Sequence, residues 1–167
     1  STVRLTRRPR WATRRPAEAM GAWMRLEIER KFLVAGDGWR AAATSIRQLK
    51  DGLVGHFARG KVRVRLDGER AWLTVKGARD GIARAEFEYE IPRSDAQAML
   101  ATVCVGGIIE KRRYCVPHDG LVWEVDVYDG DLTGVVLAEV ELEHEAQSFV
   151  RPPWIGREVT GDPQFRQ

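Results

Sequence analysis

Charged and apolar residues alternate with a period of two along most of this chain. Residues 26–34 open with Leu26, Glu27, Ile28, Glu29, Arg30, Lys31 and Phe32. Successive strand side chains point to opposite faces, so this run predicts a strand with Glu27, Glu29 and Lys31 on one face. Leu26, Ile28 and Phe32 occupy the other. The pattern returns at 62–66, where Arg63 and Arg65 share a face, and at 72–76, which aims Lys76. It continues through 84–90 with Arg84, Glu86, Glu88 and Glu90, and through 110–114 with Lys111 and Arg113. Two further runs place Glu124 beside Asp126, and Glu139 beside Glu141 and Glu143. With 45–49 counted as a strand, eight strands are predicted, seven of them charged on one face and mostly apolar on the other.

One such strand can turn its charged face to water. Seven in a small domain leave no ordinary sheet core. Closing the sheet resolves the conflict, because interior and exterior residues alternate along every barrel strand and no edge remains. The predicted fold is therefore α+β: a closed eight-stranded antiparallel β-barrel, charged inside, with helices packed on its apolar exterior. Buried charge is costly unless compensated. A lining of both signs compensates itself and suits a ligand that also carries both, such as a polyphosphate with a divalent metal.

The connecting segments are short. Gly36 to Arg40 reads as a turn into a short helix over 41–43, and 52–60 reads as a loop holding His56. Asp67-Gly68 marks a hairpin. Pro92 ends the fifth strand, and Ser94 is placed to cap a helix through about Val103, with Met99 and Leu100 toward the barrel wall. Asp129-Gly130-Asp131 is a turn, and 145–150 reads as a short helix before Pro152-Pro153. His118 and His144 are placed in loops, and the tryptophans in outer packing.

Charge divides the chain. Its 27 Lys and Arg against 24 Asp and Glu give +3, but residues 1–23 hold six arginines and one acid, Glu18. That segment is +5, which leaves −2 for residues 24–167. It is aperiodic and contains Pro9 and Pro16, so 1–23 is predicted to be a disordered Arg-rich extension. Met24 marks the expected start of the folded domain, 24–167. Cys104 and Cys115 match no metal-ligand spacing or disulfide framework, which makes a reducing cytoplasm the default compartment. No apolar run reaches membrane-spanning length, so no membrane partner is expected.

The motifs also resemble a known family. They are Glu27-Ile28-Glu29-Arg30-Lys31-Phe32-Leu33-Val34, Val62-Arg63-Val64-Arg65, Leu73-Thr74-Val75-Lys76-Gly77 and the run 84–88. Glu110-Lys111-Arg112-Arg113-Tyr114, Glu124-Val125-Asp126-Val127, Glu139-Val140-Glu141 and the tail from Pro152 to Thr160 follow in order. Together they resemble the CYTH superfamily, the triphosphate tunnel metalloenzymes, and its short bacterial branch in particular. That family includes inorganic triphosphatases, thiamine triphosphatases and class IV adenylate cyclases. The resemblance implies metal-dependent hydrolysis of a small triphosphate, foremost inorganic tripolyphosphate, with release of orthophosphate. It implies catalytic roles for Lys31, Lys76 and Arg65. Substrate binding would fall to Lys31, Arg63, Arg65, Lys76, Arg84, Lys111 and Arg113. Mg²⁺ or Mn²⁺ would be held by Glu27, Glu29, Glu124, Asp126, Glu139 and Glu141. A homodimer is compatible with the family, and a nucleic-acid partner is not expected. A cyclase, a thiamine triphosphatase and a non-catalytic polyphosphate- or nucleotide-binding module are the alternatives. Two departures stand out. The branch carries an Arg-Gln-Gly-Tyr stretch where this chain has Arg47-Gln48-Leu49-Lys50, so the tyrosine is absent. The family continues into a terminal helix at one tunnel mouth, whereas this sequence ends at Gln167, which implies a more open tunnel.

Overall fold

The computed structural model describes residues 25–165, so the expected extension 1–23 lies outside the described residues. Among the described residues nine strands form: β1 Leu26–Val34, β2 Ser45–Phe57, β3 Gly60–Asp67, β4 Arg70–Gly77, β5 Ala83–Glu90, β6 Val105–His118, β7 Leu121–Tyr128, β8 Val136–Glu141 and β9 Ile155–Glu158. They run in the order β5-β4-β3-β2-β6-β7-β8-β1, and a β5–β1 pairing closes the ring. Every pairing is antiparallel. The eight-stranded barrel expected from the alternation is the fold that forms. The ninth strand adds outside it, on β1, through Phe32↔Glu158 and Val34↔Ile155. With four residues and no alternation, β9 carries no period-two signal.

The ring is sealed unevenly. β1 pairs with β5 through Leu26, Ile28 and the Glu27↔Arg84 position, then leaves it to pair with β8 from Glu29 to Leu33. Its first half therefore faces Arg84 of β5 and its second half the acids of β8.

The apolar faces point outward and build the core on the barrel's exterior. Phe32, Trp39, Trp123, Val125, Val140 and Trp154 are buried together there. Trp123 packs its ring at 5.5 Å from Phe32, 5.7 Å from Phe149 and 5.8 Å from Trp154. Such tilted aromatic pairs add to the area they bury. On another side the helix α1, Arg93–Thr102, lies over β2, β3 and β4. It brings Ala96, Met99 and Leu100 against Val64 and Ala71, which meets the expectation for Met99 and Leu100.

Several local expectations are corrected. The segment read as a loop, 52–60, is mostly strand, because β2 pairs with β3 as far as Phe57↔Gly60. Gly52, at the start of that segment, serves packing instead. A Cβ on Gly52 would meet Cys104 Sγ at 2.5 Å and Leu100 Cδ2 at 2.6 Å, so its bareness lets α1 approach. His56 and His118 consequently lie on strands β2 and β6, not in loops. Residues 145–150 form no helix. The helix α1 is capped by Pro92, whose carbonyl accepts from Asp95 and Ala96 N–H, and Ser94 makes no capping bond. The short helix expected over 41–43 is a single 3-10 turn, Arg40–Ala42.

Gly60 ties the β2–β3 hairpin to β4. A Cβ there would sit 2.0 Å from the backbone oxygen of Lys76, and backbone cannot swing aside. We expect Gly60→Ala to destabilise the protein by about 1–3 kcal/mol, as overpacking does. Urea unfolding followed by tryptophan fluorescence measures it, and an unchanged midpoint would contradict the packing described.

Candidate active site

An eight-stranded barrel is just wide enough to be filled by side chains or to hold one small ligand. Here the interior is a cavity of about 840 Å³ to which all eight barrel strands contribute charged side chains. β1 supplies Glu27, Glu29 and Lys31; β3 supplies Lys61, Arg63 and Arg65; β4 supplies Lys76; β5 supplies Arg84, Glu86 and Glu88. Arg47 and Asp51 come from β2, Lys111 and Arg113 from β6, Glu124 from β7, and Glu139 and Glu141 from β8. Every site residue expected from the sequence lines this cavity except Asp126. That residue is fully buried in the wall, between Lys111 and Arg113.

Cross-strand register organises the charges. Opposite signs face each other at Glu27↔Arg84, Lys31↔Glu139, Lys76↔Glu86, Arg65↔Asp51 and Arg113↔Asp126. Each of these pairs closes into an ion pair. Lys31 Nζ lies 2.7 Å from Glu139, and Lys76 Nζ lies 2.9 Å from Glu27 and 2.5 Å from Glu86. Arg84 Nε donates to Glu27. Arg65 forks onto Asp51 at 2.6 and 2.7 Å. Arg113 forks onto Asp126 at 2.7 Å through both contacts, and reaches Glu139 at 2.9 Å and Glu124 as well. Lys111 reaches Asp126 at 2.6 Å.

Like charges face each other elsewhere. Two acid pairs flank β8, Glu29↔Glu141 and Glu124↔Glu139. Two base pairs flank β2 and β3, Arg47↔Arg113 and Lys61↔Lys76. Such pairs are unfavourable by themselves, and they separate an acidic from a basic part of the wall.

The proton affinities follow this division. Burial opposes ionisation of Glu27, but Lys76 and Arg84 outweigh it and hold the carboxyl far below the usual range. Burial likewise opposes the Glu139 charge, and Lys31 and Arg113 reverse that effect. Glu29 differs. Burial, then the charges of Glu139 and Glu27, push its carboxyl up to about 7. Among the described residues its ion-pair partner is Arg79, at 3.4 Å. Burial and the charges of Glu27 and Glu124 also raise Glu141.

The carboxylates suit a hard divalent cation in kind, although among the described residues no three of them converge as a ready metal cage. The ion pairs explain this, because Glu27, Glu124 and Glu139 are turned onto lysine and arginine. Glu29 and Glu141, opposite one another and poorly neutralised, are the donors whose charge a cation would relieve.

Sequence reasoning missed Asp51, Lys61, Arg47 and Arg79. Asp51 shares the parity of Arg47 and Leu49 but lay past the predicted strand 45–49, just before the segment read as a loop. Lys61 shares the parity of Arg63 and lay one position outside the predicted strand. Arg79 follows β4 on a connection with no periodic signal. Lys50, at the family's tyrosine position, pairs with Glu110 at 2.7 Å and does not line the cavity.

Fold and lining together define a charged-tunnel β-barrel. The chain belongs to the CYTH domain family, whose model matches residues 25–165. It is 44% identical over 139 residues to an inorganic triphosphatase of Acetivibrio thermocellus, covering 83% of this chain and 88% of that one. It is 38% identical over 150 residues to an inorganic triphosphatase of Nitrosomonas europaea, covering 84% and 93% respectively. A solved structure of an inorganic triphosphatase superposes with a TM-score of 0.59 at 35% identity, over 84% of this chain and 90% of that one. Enzymes of this family are generally metal-dependent. Among the described residues no helix is long and apolar enough to cross a membrane.

Proposed function

We propose that this protein hydrolyses inorganic tripolyphosphate with Mg²⁺ or Mn²⁺, releasing orthophosphate. The observation that carries this reading is a lining rich in both signs of charge in which Phe165 and the imidazole of His56 are the only rings among the described residues. A polyanion and a cation match such walls, whereas an attached base would find few rings to stack on. The triphosphatase relatives support the same substrate class.

Lys31, Arg65 and Lys76 then act on the reacting phosphoryl group, and Arg63, Arg84, Lys111 and Arg113 hold the chain of phosphates. Guanidinium forks grip phosphate oxygens bidentately, and ammonium groups act as point charges. Catalysis of phosphoryl transfer is mostly positioning and charge stabilisation. Water attacks the terminal phosphorus, the bond to the bridging oxygen breaks, and orthophosphate and pyrophosphate leave. Glu29 and Glu141, with Glu27, Glu139 and Glu124 beside them, would hold the metal. Asp126 braces Lys111 and Arg113 from within the wall. A bound divalent ion supplies neutralisation of phosphate charge and polarises water.

The cross-neutralised tunnel adds a consequence. Phosphate oxygens must compete with Glu27 and Glu139 for lysine and arginine, and each carboxylate displaced becomes a metal donor. Substrate and metal should therefore strengthen each other's binding. We expect saturating Mg²⁺ to tighten tripolyphosphate binding by about tenfold or more, a coupling within the usual range. Calorimetric titration with and without Mg²⁺ checks it.

The deciding experiment is phosphate release from tripolyphosphate with Mg²⁺, with Mn²⁺ and with a chelator, with ATP in parallel and cyclic AMP as a second readout. Metal-dependent release supports the triphosphatase. Metal-dependent binding without release would instead indicate a binding module, and cyclic AMP a cyclase.

A further inference from the structure

Lys61 stands apart from the other cations of the tunnel. Lys31, Arg65, Lys76, Arg84, Lys111 and Arg113 each hold a carboxylate, and even Arg63 reaches Glu88 at 3.4 Å. Among the described residues Lys61 has no carboxylate in ion-pairing range. Yet it is half-buried in the lining. Its cross-strand neighbours are His56 on β2 and Lys76 on β4, so no acid stands directly opposite it. The charged groups around it are Arg63 on its own strand, Lys76 with Glu86 beyond it, Arg84 on β5 and Lys31 on β1. Burial and the four cations push its ammonium down to about 8. A barrel that balances nearly every other inward charge leaves this one open, which is unfavourable until an anion arrives.

Its position narrows the anion. Lys61 lies where β2, β3 and β4 end, beside the β2–β3 hairpin. The adjoining lining is Gly60, Gly77 and Ala78, small residues, and the ring beside them is the imidazole of His56, whose N–H can itself donate to a phosphate oxygen. We propose that Lys61, beside His56, is a specificity-determining phosphate contact at this mouth of the tunnel, reading a terminal phosphate of an inorganic chain. This rests on the triphosphatase reading and extends it to chain-end selectivity. A plain surface lysine would instead be exposed and indifferent to its neighbours.

The test is steady-state hydrolysis by the full chain with Mg²⁺, comparing the wild type, Lys61→Gln and Lys61→Arg on tripolyphosphate and ATP. One charge-assisted contact corresponds to about a tenfold change. At pH 7 we expect Lys61→Gln to raise the KM for tripolyphosphate about tenfold, to leave kcat within about twofold, and to raise the KM for ATP less. Its thermal midpoint should not fall, because the substitution removes repulsion. The wild-type KM should climb as pH rises through about 8 and Lys61 loses its proton. Lys61→Arg keeps its charge and should remove most of that rise. An unchanged KM in Lys61→Gln, an equal rise for both substrates, or an alkaline rise that persists in Lys61→Arg would overturn the proposal. Absence of phosphate release by the wild type would instead overturn the functional reading itself.

Discussion

Arg113→Met is expected to cost about 3–5 kcal/mol, a large part of the stability of a domain this size. Arg113 is the hub of the buried wall, bonded to Asp126, Glu139 and Glu124. Asp126 is wholly inaccessible to water. Without the guanidinium it keeps Lys111 at 2.6 Å but loses both oxygens' fork. Truncating one partner leaves a buried charge uncompensated, which costs far more than the intact pair contributes. The melting temperature should fall by roughly 10–15 °C. The double variant Arg113→Met/Asp126→Asn should recover part of that loss, since it removes the orphaned charge as well. An additive double variant would mean the two residues do not interact energetically. The pH dependence carries the same information. Glu139 is held below its unfolded value, so it contributes stability above that value that is lost as pH falls. Arg113→Met removes one of the cations responsible, so the variant should lose less of its stability on acidification than the wild type does.

The barrel was legible because its interior is charged. In an ordinary sandwich, alternation tells only which face meets water. Here seven charged faces had no water to meet, and closure was the one arrangement that reconciled Glu27, Glu29 and Lys31 with Ile28 and Phe32. Twelve of the expected site residues line the cavity for the same reason, since parity along a strand fixes the side to which a residue points. Asp126 departs from the expectation because parity chooses a face but says nothing of depth. What stayed hidden was long-range or aperiodic. Gly52 looked like a breaker, although its role is to admit Leu100 from α1 and Cys104 just beyond it. That misreading also hid Asp51, whose partner Arg65 lies fourteen positions away in sequence. The strand β9 depends on pairing with β1, where Arg30 Nε reaches Glu158 at 2.8 Å, and nothing in its four residues announces it. The like-charged pairs Glu29↔Glu141 and Lys61↔Lys76 required strand register, which no pattern within one strand contains.

Glu29→Gln is expected to stabilise the metal-free protein and to disable the enzyme. The Glu29 carboxyl is raised from 4.5 to about 7 by burial and by Glu139 and Glu27. Its folded value exceeds its unfolded one, so its ionisation opposes folding. Below about 4.5 both states hold the proton and the residue imposes no cost. Between 4.5 and 7 the unfolded chain releases the proton first and stability declines, and above 7 the full cost is present. Glutamine carries no such charge. The variant should therefore gain on the order of 2–3 kcal/mol at pH 8, less whatever the Arg79 contact contributes, with no gain from lost ionisation at pH 4. Chemical denaturation at both pH values, in the presence of chelator, measures the difference. Function should move the other way. With one of the two least neutralised carboxylates gone, the Mg²⁺ concentration for half-maximal hydrolysis of tripolyphosphate should rise by about tenfold or more. Ligand binding stabilises only the state that binds it, so Mg²⁺ with tripolyphosphate should raise the wild-type melting temperature more than that of the variant. A residue serving only the fold would lose stability on substitution and leave the metal requirement unchanged. Instability retained at a charged, acid-lined position, and relieved by the cation it is meant to hold, is the signature that separates a binding site from a salt-bridged wall.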